Sequence, residues 1–531
     1  MRKLKNATLS FLLFFCLIST SAIAQDNNQL VFKFKKVLDL IQVFYVDTVN
    51  QEKVVEDAIT GMLNDLDPHS VYISKDEVKS MNEPLQGNFE GIGIEFNILH
   101  DTILVVSPIP GGPSDKLGIR AGDRIVVIDG KNVAGIGIKT ADVRKKLLGN
   151  KGTQVTVGIN RRGEKNVLDY TITRDKIPLF SLDASYMIDK KTGYIKLNRF
   201  SATTMKEYHE AIAKLQTQGL ENLILDLEGN GGGYLNTAIE LADEFLDDKK
   251  MIVFTKGRND PKSEHFASQM GSFEKGKLIV LIDEGSASAS EIVTGAIQDW
   301  DRGLVIGRRS FGKGLVQRQY PLPDASEIRL TIARYYTPTG RCIQKPYDKG
   351  VKNYQNDLVN RLNKGELTQL DSIHFPDSLK YQTLSKKRTV YGGGGIMPDI
   401  FVPLDTSAIT DNYRDLIRKG VLNRFALNYT DLNRKELSSK YADFTVFNKE
   451  FNISENMLED LKKAGDEEKI KFNDSQFSTS KDLIKIQIKA LIARDLYENG
   501  RFFEIINLLN PAYQKAVEII NSRSLFNKYM E

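Results

Sequence analysis

Three short apolar runs, each followed by small residues or a turn, constrain the fold of this chain more than any other feature. Residues 223–227 (Leu-Ile-Leu-Asp-Leu) precede glycine-rich sequence and a helical pattern from about 235 to 245. Residues 278–282 (Leu-Ile-Val-Leu-Ile) precede Ser/Ala-rich sequence and a helix reaching about 300, and residues 304–306 read as a third strand. Strands that alternate with helices need crossover connections, and right-handed crossovers build a parallel sheet. An α/β core is therefore expected over 176–405, with a polar, irregular surface excursion at 345–390.

The rest of the 531 residues leaves room for further domains at roughly 100–200 residues each. Residues 25–85 carry apolar positions at helical spacing (Val31, Phe34, Val37, Leu38, Ile41), broken at Asp67-Pro68-His69-Ser70. From 86 to 175 the texture changes to short strands and turns. Strands are expected at 91–96, 103–107, 123–128, 153–159 and 167–172, with a short helix at 141–148 and a hairpin-type turn at Asp129-Gly130. Residues 406–531 are rich in Lys and Glu and helical in pattern.

The first 24 residues read as an export signal: basic Arg2, Lys3 and Lys5, an apolar run from Leu9 to Ile18, and a small-x-small end at Ala22-Ile23-Ala24. That run is shorter than the ~20 residues a membrane span needs. Cleavage after Ala24 gives a periplasmic or otherwise exported protein with no stable membrane insertion. It also leaves Cys342 as the single cysteine, which excludes an internal disulfide and a cysteine zinc site. The 73 basic and 69 acidic residues nearly balance, giving no reason to expect nucleic acid. Five histidines without an H-E-x-x-H arrangement argue against a zincin-type metalloenzyme.

Two loops at strand ends carry the chemistry. Carboxyl ends of parallel strands are where such sheets place ligands. The first loop runs from Asp226 through Glu228 and the glycines 229 and 231–233 to Tyr234. Its glycines allow close backbone approach, as a phosphate cradle or as a tight turn, although no complete nucleotide fingerprint is present. The second loop is Glu284-Gly-Ser-Ala-Ser-Ala-Ser-Glu291. One serine caps a helix well; three alternating serines exceed that need. Ser288 falls at the first turn, where free N–H groups and the helix dipole favour a developing oxyanion. A serine nucleophile needs a base. His209 or His265 could approach in space. The competing candidate is Lys313, flanked by Gly312 and Gly314, with no acidic residue among the six that follow it and Gln317 four residues on. Burial without a carboxylate would lower its pKa towards that of a base.

Ser286-Ala-Ser-Ala-Ser-Glu291 and Phe311-Gly-Lys-Gly-Leu-Val-Gln317 resemble motifs of the carboxyl-terminal processing peptidases, also called tail-specific proteases, with Ser288 and Lys313 25 positions apart. The resemblance extends to Leu66-Asp-Pro-His-Ser70, Gly91-Ile-Gly-Ile94, the glycine-rich loop at 229–233, Tyr336-Thr-Pro-Thr-Gly340 and Gly392-Gly-Gly-Gly-Ile-Met-Pro-Asp399. It implies a multidomain α/β chain: a crotonase/ClpP-like protease core, an inserted PDZ-like β-rich domain, a helical N-terminal region and a helical C-terminal extension. It also implies Ser288 as nucleophile, Lys313 as general base and Gln317 as its support. The backbone N–H groups of Ala289 and a glycine of 231–233, chiefly Gly233, would form the oxyanion hole. Gly91, Ile92, Gly93 and Ile94 would bind a peptide's terminal carboxylate, the substrates being proteins or peptides with apolar C-termini. No metal, nucleotide or organic cofactor is implied. One departure is Glu228, where the family often has Arg. Two other classes, a peptide-binding scaffold with a retired site and an acyl-CoA hydratase-like enzyme, are disfavoured by the intact Ser288/Lys313/Gln317 set and by the export signal respectively.

Overall fold

The computed structural model describes residues 28–268 and 270–531; the export signal expected at 1–24 lies outside them. The chain divides into two units, one comprising residues up to Ser74 with Gln319–Leu330, the other Lys75–Arg318 with Thr331–Glu531.

In the first unit, helices span 28–44 and Gln51–Asn64. Asn50 caps the second, its side chain accepting from the Lys53 N–H at 3.2 Å. The break read at Asp67 is a side-chain-closed turn. The Asp67 carboxylate accepts the N–H groups of His69 and Ser70, at 2.8 and 3.0 Å, and the Ser70 hydroxyl at 2.5 Å. Strand Val71–Ile73 then pairs antiparallel with 327–329.

The second unit is built on a six-stranded sheet in the order Leu182–Met187, Thr192–Leu197, Asn222–Asp226, Lys277–Ile282, Leu304–Gly307, Ile400–Phe401. The first pair is antiparallel and the remaining pairs are parallel. The strand period of two sorts its side chains. Leu223, Leu225, Leu278, Val280 and Ile282 face a core shared with helices Thr204–Thr217, Leu235–Asp243 and Ala289–Asp299. Ile224, Ile279 and Leu281 face the opposite way, against Ala512, Tyr513, Ala516, Ile519 and Ile520 of helix Pro511–Asn521. The last helices of the chain therefore cover one face of the central sheet. Every residue of Ala289–Asp299 is buried, as expected of a helix enclosed on all sides.

The β-rich module holds a sheet in the order Ile94–Leu99, Thr102–Pro108, Arg124–Ile128, Gln154–Asn160, Leu168–Thr173, over a core that includes Val143 and Leu147 of helix Thr140–Leu147. The single strand expected over 91–96 is in fact two. Gly93 takes φ +74°, and the chain passes from ladder Asn88–Gly91 into Ile94–Leu99 of a different sheet. Asn88–Gly91 pairs antiparallel with Asp175–Pro178, so the module's entering and leaving segments run side by side. The segment 345–390 is less irregular than expected, with short helices Val351–Gln355 and Asp357–Asn363 and a hairpin of Lys380–Gln382 with Thr389–Tyr391.

From Asp411 onward the chain is helical. Side chains of Thr410, Asp443, Ser454, Asn473, Asn510 and Ser522 each accept a backbone N–H at a helix start. The helices up to Ile506 enclose a core of their own around Phe447, Leu461, Ile484 and Ile488.

Candidate active site

Ser288 stands immediately before helix Ala289–Asp299 with φ +56°, a conformation that side chains other than glycine rarely adopt. Such strain costs on the order of 1–3 kcal/mol and persists only where the surroundings over-determine it. Here they do. The Ser288 N–H donates to Glu291 Oε2 at 2.8 Å, closing the helix N-terminus from three residues ahead. The same carboxylate accepts the Lys313 N–H at 2.9 Å, the Gly312 N–H at 2.7 Å and the Ser310 hydroxyl at 2.5 Å. One buried carboxylate thus ties the backbones of Ser288 and Lys313 together. Burial pushes the Glu291 carboxyl up to about 7, against the pull of these four donors.

A second brace comes from strand Glu327–Tyr336. The buried Tyr335 hydroxyl lies 2.6 Å from the Lys313 carbonyl oxygen and 3.0 Å from that of Ser288, its one proton serving either acceptor. The glycines flanking Lys313 are there for clearance. A Cβ at Gly312 (φ +87°) would stand 3.0 Å from the Gly395 nitrogen, and one at Gly314 2.9 Å from the Gln344 nitrogen. Gln317 follows on strand Leu315–Pro321, where its amide donates to Thr331 Oγ1 at 3.2 Å.

The other two serines of the triplet have structural partners. Ser286 Oγ donates to the Leu227 carbonyl at 2.7 Å, and Ser290 Oγ to the Asn230 carbonyl at 2.8 Å. Both lash the serine loop to the glycine-rich loop. Asn230 is fully buried, donating to the Leu197 carbonyl at 2.9 Å and accepting the Gly232 N–H at 2.9 Å. Gly232 (φ +100°) lies against the serine, since a Cβ there would stand 2.8 Å from Ser288 Cβ and 3.0 Å from the Ala289 nitrogen. Gly233 bridges to Phe200, with the Tyr234 N–H donating to the Phe200 carbonyl at 2.9 Å. The loop's base is polar. Lys196 pairs with buried Asp226 at 3.0 Å, and Asn510 of the C-terminal extension donates to Glu228 Oε2 at 2.5 Å. Burial first, then the neighbouring Asp226, pushes Glu228 up to about 8.

The histidines weighed as bases are engaged elsewhere: His209 Nε2 lies 2.6 Å from Glu244 Oε1, and His265 Nε2 3.4 Å from Ser263 Oγ. In the β-rich module, Gly91 closes the entry ladder, Ile92 is buried, Gly93 makes the turn and Ile94 opens the first strand of the sheet.

Residues 191–353 match peptidase family S41, 104–161 a PDZ domain, 17–77 the N-terminal domain of the activating protease CtpB, and 412–498 a family of unknown function. The carboxy-terminal-processing protease of Bartonella bacilliformis is 40% identical over 337 residues, spanning 62% of this chain and 76% of that protein. The carboxy-terminal processing protease CtpB of Bacillus subtilis is 36% identical over 340 residues, spanning 63% and 69% respectively. The chain belongs to peptidase family S41. It is a C-terminal processing serine peptidase with a PDZ domain. Among solved structures, the photosystem II D1 C-terminal processing protease is 30% identical, covering 59% of this chain and 89% of that one, with a TM-score of 0.34. The PDZ domain of the carboxy-terminal protease from Vibrio cholerae is 31% identical, covering 17% and 99%, with a TM-score of 0.16. Among the described residues of this S41 peptidase, no helix is long and apolar enough to cross a membrane.

Reading the sequence alone missed Glu291 and Tyr335 as organisers of the site. Glu291 had a signal, because Ser-x-x-Glu at 288–291 is a capping-box pattern. Tyr335 had none beyond adjoining the Tyr336-Thr-Pro-Thr-Gly340 motif.

Proposed function

We propose that this S41 peptidase is exported, with its first 24 residues removed, and cleaves protein substrates near apolar C-termini through a Ser288–Lys313 dyad. The observation that carries the dyad is the Glu291 carboxylate accepting from the backbone N–H of both residues. In the first step, neutral Lys313 takes the Ser288 proton as Oγ attacks the substrate carbonyl carbon. The Ala289 and Gly233 N–H groups stabilise the oxyanion at the positive end of helix Ala289–Asp299. Collapse breaks the C–N bond, the Lys313 ammonium returns its proton to the leaving amine, and an ester on Ser288 remains. Water then attacks that ester with Lys313 again as base, releasing the acid and restoring Ser288. Gln317 supports Lys313 without adding charge. The substrate's terminal carboxylate sits on the loop Gly91–Ile94, and its tail adds as a strand beside the PDZ sheet.

The test is incubation with an unstructured protein ending in apolar residues, read by mass spectrometry of the products. Ser288→Ala is expected to abolish cleavage while retaining tail binding. Lys313→Arg is expected to be nearly as damaging, because a guanidinium cannot act as base. Wild-type turnover by Ser288→Ala would sink the assignment.

A further inference from the structure

Strand Ile94–Leu99 is the terminal strand of the PDZ sheet, paired on one side with Thr102–Pro108. An edge strand offers its backbone N–H and C=O groups to an added strand. A cavity of about 450 Å³ runs beside this edge. It is lined by Ile94, Phe96 and Val106 around the edge, and helix Thr140–Leu147 contributes Thr140 and Arg144. The remaining wall does not belong to the PDZ domain. It is Arg494, at the end of helix Lys481–Leu496, and Asn499, at the start of helix Asn499–Ile506.

This wall is fixed in place. Arg124 on the PDZ sheet pairs with Asp431 of helix Val421–Lys440 at 2.6 Å, and Arg162 donates to the Asp431 and Leu432 carbonyls at 3.2 and 3.4 Å. Leu427 of that helix packs in one cluster with Leu99, Leu104 and Val106. Val106 thus lines the cavity and lies in the contact that seats the extension. Helix Val421–Lys440 in turn shares a core with Lys481–Leu496, through Leu422 and Ala426 against Ile488 and Leu491. The wall is polar and nearly charge-balanced. The Arg494 guanidinium lies 3.4 Å from the buried Asp495 carboxylate, and Glu95 stands on the edge strand opposite. Such a surface suits hydrogen bonds to an extended backbone and to polar side chains more than it suits an acidic or a basic tail.

We infer that the C-terminal extension is the third wall of the tail-binding groove, and that Arg494 and Asn499 hydrogen-bond the last four or so residues of a substrate tail upstream of its carboxylate. This rests on reading Gly91–Ile94 as the carboxylate loop. Tail selection in this chain is then shared between the PDZ domain and the extension, with a preference for polar residues just before the apolar end.

The test uses the full chain carrying Ser288→Ala and a fluorescent ten-residue peptide with polar residues before an apolar C-terminus, followed by anisotropy. The parent is expected to bind the free-acid peptide well and the C-terminally amidated peptide poorly. Arg494→Ala and Asn499→Ala are each expected to weaken the free-acid peptide about two- to tenfold, the worth of one net hydrogen bond. Lys485→Ala, on the same helix but paired with Glu455 at 3.0 Å on the surface, is expected to change nothing. As a second readout, Asn499→Cys is expected to capture a peptide bearing a chloroacetamide three residues before its end, and Lys485→Cys is not. Parent-like affinity in the Arg494/Asn499 double variant together with no capture at 499 overturns the third wall while leaving the carboxylate loop standing. Equal binding of acid and amide by the parent overturns the carboxylate loop itself, and this inference with it.

Discussion

At the scale of single residues, two carboxylates, buried Glu291 and half-buried Glu228, do different jobs. Glu291 is an acceptor for four donors, so Glu291→Gln turns an amide NH₂ towards N–H groups that need an oxygen. Leaving buried donors unmet costs on the order of 1–3 kcal/mol each. The variant is expected to lose about 3 kcal/mol of stability in urea unfolding. Its kcat should fall about tenfold to a hundredfold with a smaller change in KM, because misplacing Ser288 and Lys313, the proposed nucleophile and base, by a fraction of an ångström acts on the chemical step. Glu228 is the opposite case. Its ordinary pKa is 4.5 and the fold raises it to about 8, so between these values the folded chain holds a proton that the unfolded chain has released. Its contribution to stability is therefore intact below 4.5, declines as pH rises through that window and levels off above 8. Glu228→Gln keeps an acceptor for Asn510 and removes the titration. Thermal melts are expected to show the variant above the parent at pH 8.5 and level with it at pH 4.5. The sequence marked Glu228 as a departure. It could not show that the residue's partner lies 282 positions away.

At the scale of elements, the two strand-end loops of the candidate site were legible because their residue types answer local needs. Continuous apolar runs, small residues at strand ends and a Ser-rich cap all follow from local needs of burial and backbone geometry. What was not legible is which glycine touches what. Gly229 and Gly232 both have positive φ, yet only Gly232 abuts the serine, and a Cβ at Gly229 meets nothing within 4 Å. Gly229→Ala is expected to cost about 1 kcal/mol of backbone strain and leave kcat near the parent's. Gly232→Ala pushes on Ser288 Cβ and the Ala289 nitrogen. If the Ala289 N–H is the oxyanion donor proposed above, progress curves on a tail-bearing substrate are expected to show kcat down about a hundredfold, the usual loss when such a donor is displaced. The strand expected across 91–96 failed for a related reason. Alternation of apolar residues does not report that a glycine turn inside the run moves the chain from one sheet to another.

At the scale of the whole chain, the sequence indicated a helical C-terminal extension, and the structure divides that extension between two tasks. Residues 411–506 enclose their own core and meet the PDZ module through Leu427 and Asp431. Helix Pro511–Asn521 covers the second face of the central sheet, over Tyr194, Ile224, Ile279 and Leu281. Nothing in the periodicity of 511–521 names the surface it covers, since that match is made across hundreds of residues. Truncation after residue 498 strips this cover and exposes contiguous apolar sheet. The shortened chain is expected to aggregate on expression, as read by sedimentation of the soluble fraction, whereas Asn510→Ala leaves the cover in place and is expected to stay soluble.

The ladder of Asn88–Gly91 with Asp175–Pro178 brings the two ends of the PDZ module to about 4.8 Å, one interstrand spacing. Such a junction works as a socket. The peptidase accepts what is plugged into it provided that the insert's termini leave as neighbours and its surface meets Leu427 and Asp431 of the extension. A foreign recognition domain spliced between Gly91 and Asp175 would re-address the same cutting machinery to a different class of cargo.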